Sequence, residues 1–183
     1  TEDMQKCIDA YLNQSKTSLS YIKGSFSVLY DIAMERDICY KDYSKFLKLP
    51  KKKKVEIHPF TEEEVAKIKK AAVDNVPYAD IILILIYTGF RISELLALNP
   101  DDYLIKERML IGGLKTEAGE NRHVPVLPIV EPYLMARLKL GGQKLICKTD
   151  GTGYSSGYMR KKYYGALDAI GVRRLSPHSC RKT

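Results

Sequence analysis

The pattern of apolar and polar residues predicts a helical protein organised around one buried helix. Residues 81–87 are almost wholly apolar, which predicts a helix buried on all sides. Thr88-Gly89 breaks this run. Ile92, Leu95 and Leu96 then recur at the i, i+3 and i+4 spacing of a second helix face. These two helices form the predicted centre of the fold.

Further helices are predicted on both sides of this centre. Thr61 and Glu64 have the spacing of a capping box, and Thr17 is the predicted N-cap of an earlier helix. The apolar stripe of that earlier helix is Ile22, Phe26, Leu29 and Ala33. Periodicity places helices over residues 4–14, 18–36, 62–73, 129–140 and 155–169, with another beginning at Ser176-Pro177.

The periodicity changes to two in the middle of the chain. Residues 103–105, 109–112 and 122–126 alternate as short strands do, with a turn over residues 117–121. The predicted fold class is therefore mainly α with a small antiparallel β-sheet, an α+β arrangement.

One charged pair lies inside the least polar part of the sequence. Arg91 falls at the first turn of the second central helix, and Glu94 lies three residues further on, within reach of its side chain. A charge in an apolar environment is costly unless it is paired. Two interpretations stay open here: an ion pair that ties core helices together, or an arginine that also binds an external anion.

The charge balance favours a polyanionic partner. The 183 residues carry a net charge of +8, and residues 135–183 hold eleven lysines and arginines against only Asp150 and Asp168. The run Lys51, Lys52, Lys53 and Lys54 is either a solvated linker or a contact to a nucleic-acid backbone. Arg160, Lys161 and Lys162 form a second basic group, which is either the solvated face of a helix or, as the local charge favours, a phosphate contact.

Composition argues against several other classes of protein. The four cysteines are scattered and, with three histidines, show no metal-ligand spacing, so no metal site is predicted. Free thiols are typical of a reducing cytosol. The apolar run of residues 81–87 is far too short to span a bilayer. We therefore expect a cytoplasmic protein with no membrane partner.

The last residues carry a second candidate anion site. Ser176 and Pro177 predict the start of a helix, whose first turn places His178 and Arg181 on one face. Backbone N–H groups and the positive end of the helix dipole favour an anion at such a position.

Taken together, these features resemble the tyrosine recombinase (phage integrase) family. The resemblance covers residues 60–183 and rests on the order and spacing of three blocks. These are TGFRISELLAL at 88–98, LKT at 114–116 with RHVP at 122–125, and HSCR at 178–181. It implies the catalytic-domain fold of that family. Residues 1–50 resemble the C-terminal part of the family's helical core-binding domain, which binds DNA, and residues 51–59 are then a basic linker.

The resemblance also implies a role for each matching residue. In that family a tyrosine attacks the scissile phosphate, forms a 3′-phosphotyrosyl link and releases a 5′-hydroxyl, without a metal or nucleotide cofactor. Arg91 and Arg181 would hold the phosphate oxygens, with Glu94 orienting Arg91. Lys115 would protonate the leaving 5′-oxygen, and His178 would hydrogen-bond the phosphate or assist proton transfer.

The sequence departs from the family pattern after Arg181. The family continues to a nucleophilic tyrosine, whereas all thirteen tyrosines of this chain precede His178, the last being Tyr164. We therefore expect residues 60–183 to be a catalytic domain truncated before its C-terminal helices. Such a chain should be inactive alone, and the full-length protein should cleave DNA.

The implied function is site-specific DNA recombination or integration by a nucleoid-associated protein of bacterial, phage or mobile-element origin. The implied partners are double-stranded DNA and, at full length, further copies of the protein in a tetramer. A non-catalytic DNA-binding module or regulator remains the alternative, because positive charge serves either function. Convergence of Arg91, Lys115, His178 and Arg181 on one point would favour the enzyme.

Overall fold

The computed structural model describes residues 1–50, 58–113 and 121–183, in two units, Thr1–Glu56 and Ile57–Thr183. The predicted sites Lys51, Lys52, Lys53, Lys54 and Lys115 lie outside the described residues. The described helices are α1 (Glu2–Asp9), α2 (Lys16–Glu35), α3 (Glu62–Val73), α4 (Ala79–Thr88), α5 (Ile92–Ala97), α6 (Glu131–Leu138), α7 (Ser156–Ile170) and α8 (Pro177–Cys180), with short 3₁₀ helices at Tyr43–Phe46 and Pro100–Asp102. The strands are β1 (Tyr103–Leu104), β2 (Met109–Gly112) and β3 (Arg122–Pro125).

The first unit has a small core, and three predictions within it are wrong. The helix predicted over residues 4–14 runs instead from Glu2 to Asp9, because residues 10–13 form a turn. The N-cap of α2 is Ser15 rather than Thr17, because the Ser15 hydroxyl accepts a hydrogen bond from the Ser18 N–H at 3.1 Å. The predicted stripe ends early, since the Leu29 residue is 61% exposed. The core consists of Ile8, Leu19 and Leu47, with Met4, Ile22, Phe26 and Leu49 packed against it. From α2 this core therefore takes apolar residues of the N-terminal half.

The second unit is organised around α4, as the sequence predicts. Residues 81–85 are fully buried, and α4 packs against α3, α6, α7 and α8. The capping box of α3 is confirmed: the Glu64 N–H donates to the Thr61 hydroxyl, and the Thr61 N–H donates to the Glu64 carboxylate at 2.9 Å. A helix enclosed on several sides gives the unit a rigid centre from which functional side chains can project.

The sheet is antiparallel in the order β1-β2-β3, which confirms the predicted fold class. Leu104 pairs with Met109, and Gly112 pairs with Arg122. Gly112 lies so close to the core that a Cβ atom there would come within 2.5 Å of the Leu98 side chain. The strand pair β2–β3 therefore packs directly behind the segment that follows α5.

Helix α6 is shorter than the periodicity predicts, whereas α7 has nearly the predicted bounds. The predicted helix over 129–140 is shorter, from Glu131 to Leu138, because residues 128–130 form a turn in which the Val130 N–H donates to the Leu127 carbonyl at 3.0 Å. Helix α7 follows the prediction closely, with Ser155 as N-cap and Gly171 ending it in the left-handed conformation at φ +72°.

Among the described helices, none is both long and apolar enough to cross a bilayer.

Candidate active site

The corner between α4 and α5 brings Arg91 to the surface of the core. Gly89 adopts the left-handed conformation at φ +61° and ends α4. The Thr88 hydroxyl donates to the Ile84 carbonyl at 2.7 Å, and the following Phe90 is fully buried. The chain changes direction between α4 and α5, and the buried Phe90 side chain anchors this corner in the core. Arg91 is the N-cap residue of α5 rather than part of its first turn.

Glu94 holds Arg91 from the interior. The Arg91 N–H donates to Glu94 Oε2 at 2.8 Å, and the guanidinium Nη1 donates to Oε1. Glu94 is only 3% exposed, whereas the Arg91 side chain is 39% exposed. Burial alone would raise the pKa of the Glu94 carboxyl, but the hydrogen bonds and charge of Arg91 and the charge of Arg122 keep it below the usual value. Glu94 is thus an ionised, buried anchor for a guanidinium that still reaches solvent.

Helix α8 presents His178 and Arg181 beside this corner. Pro177, Ser179 and Cys180 are buried, and His178 and Arg181 are exposed. Cys180 Sγ lies 3.3 Å from the Tyr163 hydroxyl on α7, which fixes the buried side of α8. A Cβ atom at Gly89 would lie 3.8 Å from Arg181 Cγ, so the corner and α8 are in contact.

Arg91, His178 and Arg181 line one pocket of about 390 Å³. Arg160 of α7 lines it as well, and no acidic residue does so among the described residues. The remaining lining residues are Phe90, Ile92, Ser93, Ser176 and Pro177. The pocket is therefore positively charged, with contributions from α5, α7 and α8.

The pairing of the arginines makes this pocket unusual within the unit. Of the eight arginines in the described part of the second unit, six have a carboxylate oxygen within 4 Å: Arg91, Arg108, Arg122, Arg137, Arg173 and Arg174. Arg160 and Arg181 have no such partner in the described chain, and both line the pocket. Unpaired guanidinium groups that face one cavity favour an anion inside it.

A second pocket, of about 480 Å³, lies at α3 and has a different character. It is lined by Phe60, Val65, Ile86, Tyr87, Thr183 and the oppositely charged Glu62 and Lys69. Lys69 Nζ lies 5.4 Å from the centroid of the Tyr87 ring. Because its charges balance, this larger pocket offers no comparable attraction for an anion.

Solved structures with the same architecture include integrases. The chain superimposes on lambda integrase bound to DNA with a TM-score of 0.72 and 20% identity, over 97% of this chain and 68% of that one. It matches the Tn1549 transposon integrase in complex with transposon right end DNA with a TM-score of 0.80 and 19% identity, over 98% and 69%. A lambda integrase tetramer bound to a Holliday junction gives 0.74 and 20%, over 97% and 57%.

The fold is that of the tyrosine recombinases. The chain spans between 55% and 70% of the length of these integrase chains. No protein-family model and no curated protein sequence matches it. At these identities the likeness establishes the tyrosine recombinase fold, and the functional argument rests on the pocket itself.

Within this tyrosine recombinase fold, the predicted basic group on α7 is divided between two surfaces. Arg160 lines the pocket, whereas Lys162 lies two residues on, about 200° around the helix. Lys162 Nζ lies 5.3 Å from the ring centroid of Tyr158 and 5.7 Å from that of Tyr78. Lys161 is exposed. The structure therefore groups Arg160 with Arg91, His178 and Arg181, and separates Lys162 from them.

Arg122 belongs to the RHVP block at 122–125, but the sequence indicates no role for it. It begins β3, and its Nη2 lies 3.9 Å from Glu94 Oε2 and 3.5 Å from the Gly89 carbonyl oxygen, to which it donates. Its guanidinium carbon lies 4.8 Å from the centroid of the Phe90 ring. No local pattern signals these contacts, because they join residues about 30 positions apart in the tyrosine recombinase fold.

Proposed function

We propose that this protein breaks and rejoins DNA strands as a tyrosine recombinase, and that the pocket of Arg91, Arg160, His178 and Arg181 binds the scissile phosphodiester. The observation that carries the proposal is the convergence of these basic side chains from three helices on one pocket. A solvated basic surface would spread such charges apart, because like charges repel. An anion between them removes that repulsion.

The chemistry of the pocket suits a phosphate that gains charge during reaction. Guanidinium groups are planar and always ionised, and their N–H forks match paired phosphate oxygens. We assign the non-bridging oxygens to Arg91 and Arg181. Glu94 holds Arg91 in place before any ligand arrives, and preorganised donors of this kind stabilise developing charge most effectively. His178, exposed at the pocket wall, would donate a hydrogen bond to the phosphate or assist proton transfer.

The remaining steps follow from the resemblance. A tyrosine would attack the phosphorus, form a 3′-phosphotyrosyl bond and expel a 5′-oxygen, which Lys115 would protonate. The thirteen tyrosines of the chain all precede His178, and none lines the described pocket. We therefore propose that the 183 residues bind DNA but form no covalent adduct with it by themselves. A phosphotyrosyl adduct on a nicked suicide duplex would contradict this part of the proposal.

We propose double-stranded DNA as the partner and a tetramer as the working assembly. The supporting observations are the positive charge of residues 135–183 and the fold shared with integrases whose structures contain DNA, one of them a tetramer. Lys161 and Lys162, with Lys51, Lys52, Lys53 and Lys54, would contact the DNA backbone. The first unit would serve as the C-terminal part of a core-binding domain.

The test uses inorganic phosphate as a probe of the pocket. Side-chain NMR signals of Arg91 and Arg181 are followed during titration with phosphate, with chloride at equal ionic strength as the reference. We expect phosphate to shift both signals, and Arg181→Ala to abolish the response of Arg91. Arg108→Ala is the control, because Arg108, in the turn between β1 and β2, pairs with Glu131 of α6 and lines no part of the pocket.

The same experiment separates the enzyme from its alternative. A non-catalytic DNA-binding module would bind a duplex through its surface lysines and leave Arg91 and Arg181 insensitive to phosphate. If duplex binding is observed by fluorescence anisotropy without that response, the module is the better account and the proposed reaction is wrong.

A further inference from the structure

Arg122 contacts the segment that carries Arg91 but does not itself line the pocket. It lies on β3, outside the set of residues that line the pocket. Among the described residues, its side chain contacts the segment 89–94: the Gly89 carbonyl, the Phe90 ring and the Glu94 carboxylate. That segment is the corner that presents Arg91. Arg122 is therefore placed to act on the corner rather than on a ligand in the pocket.

Glu94 is shared between two arginines that come from different elements. One arginine, Arg91, precedes it on the same helix and faces the pocket, and the other, Arg122, reaches it from the sheet. A lone Arg91–Glu94 pair would be neutral overall, and its carboxylate would oppose an incoming anion. With Arg122 the group of three carries one net positive charge, so Arg91 keeps its attraction for an anion.

The geometry of Arg122 is a poor arrangement for stability alone. Among the described residues, its nearest carboxylate oxygen is 3.9 Å away and its buried Nε has no hydrogen-bond partner, while the side chain is 29% exposed. Replacing both partners of a buried ion pair by apolar residues is often neutral for stability, so such a pair is weak evidence of a purely stabilising role. The guanidinium carbon lies over the buried Phe90 ring, 4.8 Å from its centroid, which adds a cation–π contact to the corner. The side chain therefore contacts the corner although its polar groups are incompletely satisfied.

We infer that Arg122 is a positioning residue for the phosphate pocket: acting through Glu94, it orients Arg91 and offsets the carboxylate's charge. This inference rests on the proposed function, since it concerns how the pocket holds a phosphate. It adds to that proposal a residue on the sheet that touches neither the phosphate nor the pocket wall. It also connects β3, which follows the segment carrying Lys115, to the position of Arg91.

The test compares the affinity for inorganic phosphate of the 183-residue chain and its variants, measured by NMR titration of the Arg181 side-chain signal. Arg122→Met removes the charge while keeping an apolar chain over Phe90, and we expect about tenfold weaker phosphate binding. Arg122→Lys restores the positive charge beside Glu94, although not the guanidinium group, and should return the affinity to within about threefold of the unmodified chain. The matched control is Arg108→Met, which removes an ion-paired arginine beside the same sheet and should change affinity less than about twofold.

Two further measurements separate positioning from simpler effects. In a Glu94→Gln background, Arg122→Met should cause no additional loss, because the route through the carboxylate is already removed. The Arg91 side-chain NMR signal without phosphate should move in Arg122→Met and return toward its original position in Arg122→Lys. Arg122→Gln, which keeps a planar polar group over Phe90, is measured in parallel, so that the comparison still holds if one variant does not fold.

The possible results separate a failure of the positioning role of Arg122 from a failure of the proposed function. If the unmodified chain binds phosphate and Arg122→Met binds it as tightly as Arg108→Met, the positioning role is wrong and the proposed function stands. If the tenfold loss persists in the Glu94→Gln background, Arg122 acts on the ligand by another route and the inference is again wrong. If the unmodified chain shows no phosphate response at Arg91 or Arg181, the proposed function fails and this inference fails with it.

Discussion

Replacing Glu64 by glutamine should destabilise the second unit in a strongly pH-dependent way. Glu64 lies in the first turn of α3, and its carboxylate accepts hydrogen bonds from Arg173 Nε and Nη2, both at 2.7 Å. Arg173 belongs to the segment that leads into α8, so this pair ties the start of α3 to the helix that carries His178 and Arg181. The hydrogen bonds from Arg173 outweigh the effect of burial and lower the pKa of Glu64 to about 2, from 4.5.

The size of the effect follows from that shift. A difference of 2.5 pKa units corresponds to about 3 kcal/mol at neutral pH. Because the Arg173 side chain is 47% exposed, solvent screening reduces the expected contribution to about 2 kcal/mol. The folded-state pKa is depressed, so this stability is present above pH 4.5 and is lost as the pH falls towards 2. At pH 3 less than about 1 kcal/mol should remain.

Urea denaturation at pH 7 and at pH 3, followed by far-UV circular dichroism, measures the effect. Glutamine can still accept the capping hydrogen bond from the Thr61 N–H, so Glu64→Gln isolates the pair with Arg173. Glu63→Gln removes the same charge from the same exposed helix turn and is the control, with an expected change below about 0.5 kcal/mol. Equal destabilisation by Glu64→Gln at both pH values would refute the argument.

Three further predictions concern binding, reactivity and packing. Lys161→Gln should weaken duplex DNA binding for every sequence and reduce the slope of log affinity against log salt by about 1, and an unchanged slope would exclude a phosphate contact there. Burial raises the pKa of the Cys180 thiol to about 11, so iodoacetamide at pH 8 should label the exposed Cys7 and leave Cys180 unmodified in the native protein. Leu83→Ala, at the centre of the enclosed helix α4, should lower the unfolding free energy by about 2–5 kcal/mol in urea denaturation, and a loss under 1 kcal/mol would contradict the packing described.

The features predicted correctly from the sequence are those whose causes are local. The capping box of Thr61 and Glu64, the apolar run at 81–87 and the glycine that ends α7 each act within a few residues, and each is found where it was predicted. Helical periodicity alone did not locate the end of the apolar stripe on α2. Whether Leu29 is buried depends on what packs against it, and the first unit's core extends only to Phe26 on that helix.

The pocket was predicted in part, for a related reason. Arg91, His178 and Arg181 were grouped by resemblance, and their common pocket depends on contacts between α4 and α8 that no periodicity encodes. Arg160 and Lys162 looked equivalent as neighbours in one basic run. The helical rotation separates them, because Met159 and Tyr163 on α7 face the core and thereby fix the directions of both. Arg122 was missed because its contacts cross from the sheet to the corner.

Three contacts support the proposed anion pocket, and each includes at least one residue that does not line it. Glu94 anchors Arg91, the Glu64–Arg173 pair fixes the approach to α8, and the Tyr163–Cys180 contact fixes that helix from its buried side. We expect all three contacts to persist when a ligand enters, because each includes a residue outside the pocket wall. A ligand then meets donors whose orientation is already set, and little of its binding free energy is consumed in ordering them. For this reason, weakening any of the three contacts should reduce the affinity for an anion even where the pocket-lining residues are unchanged.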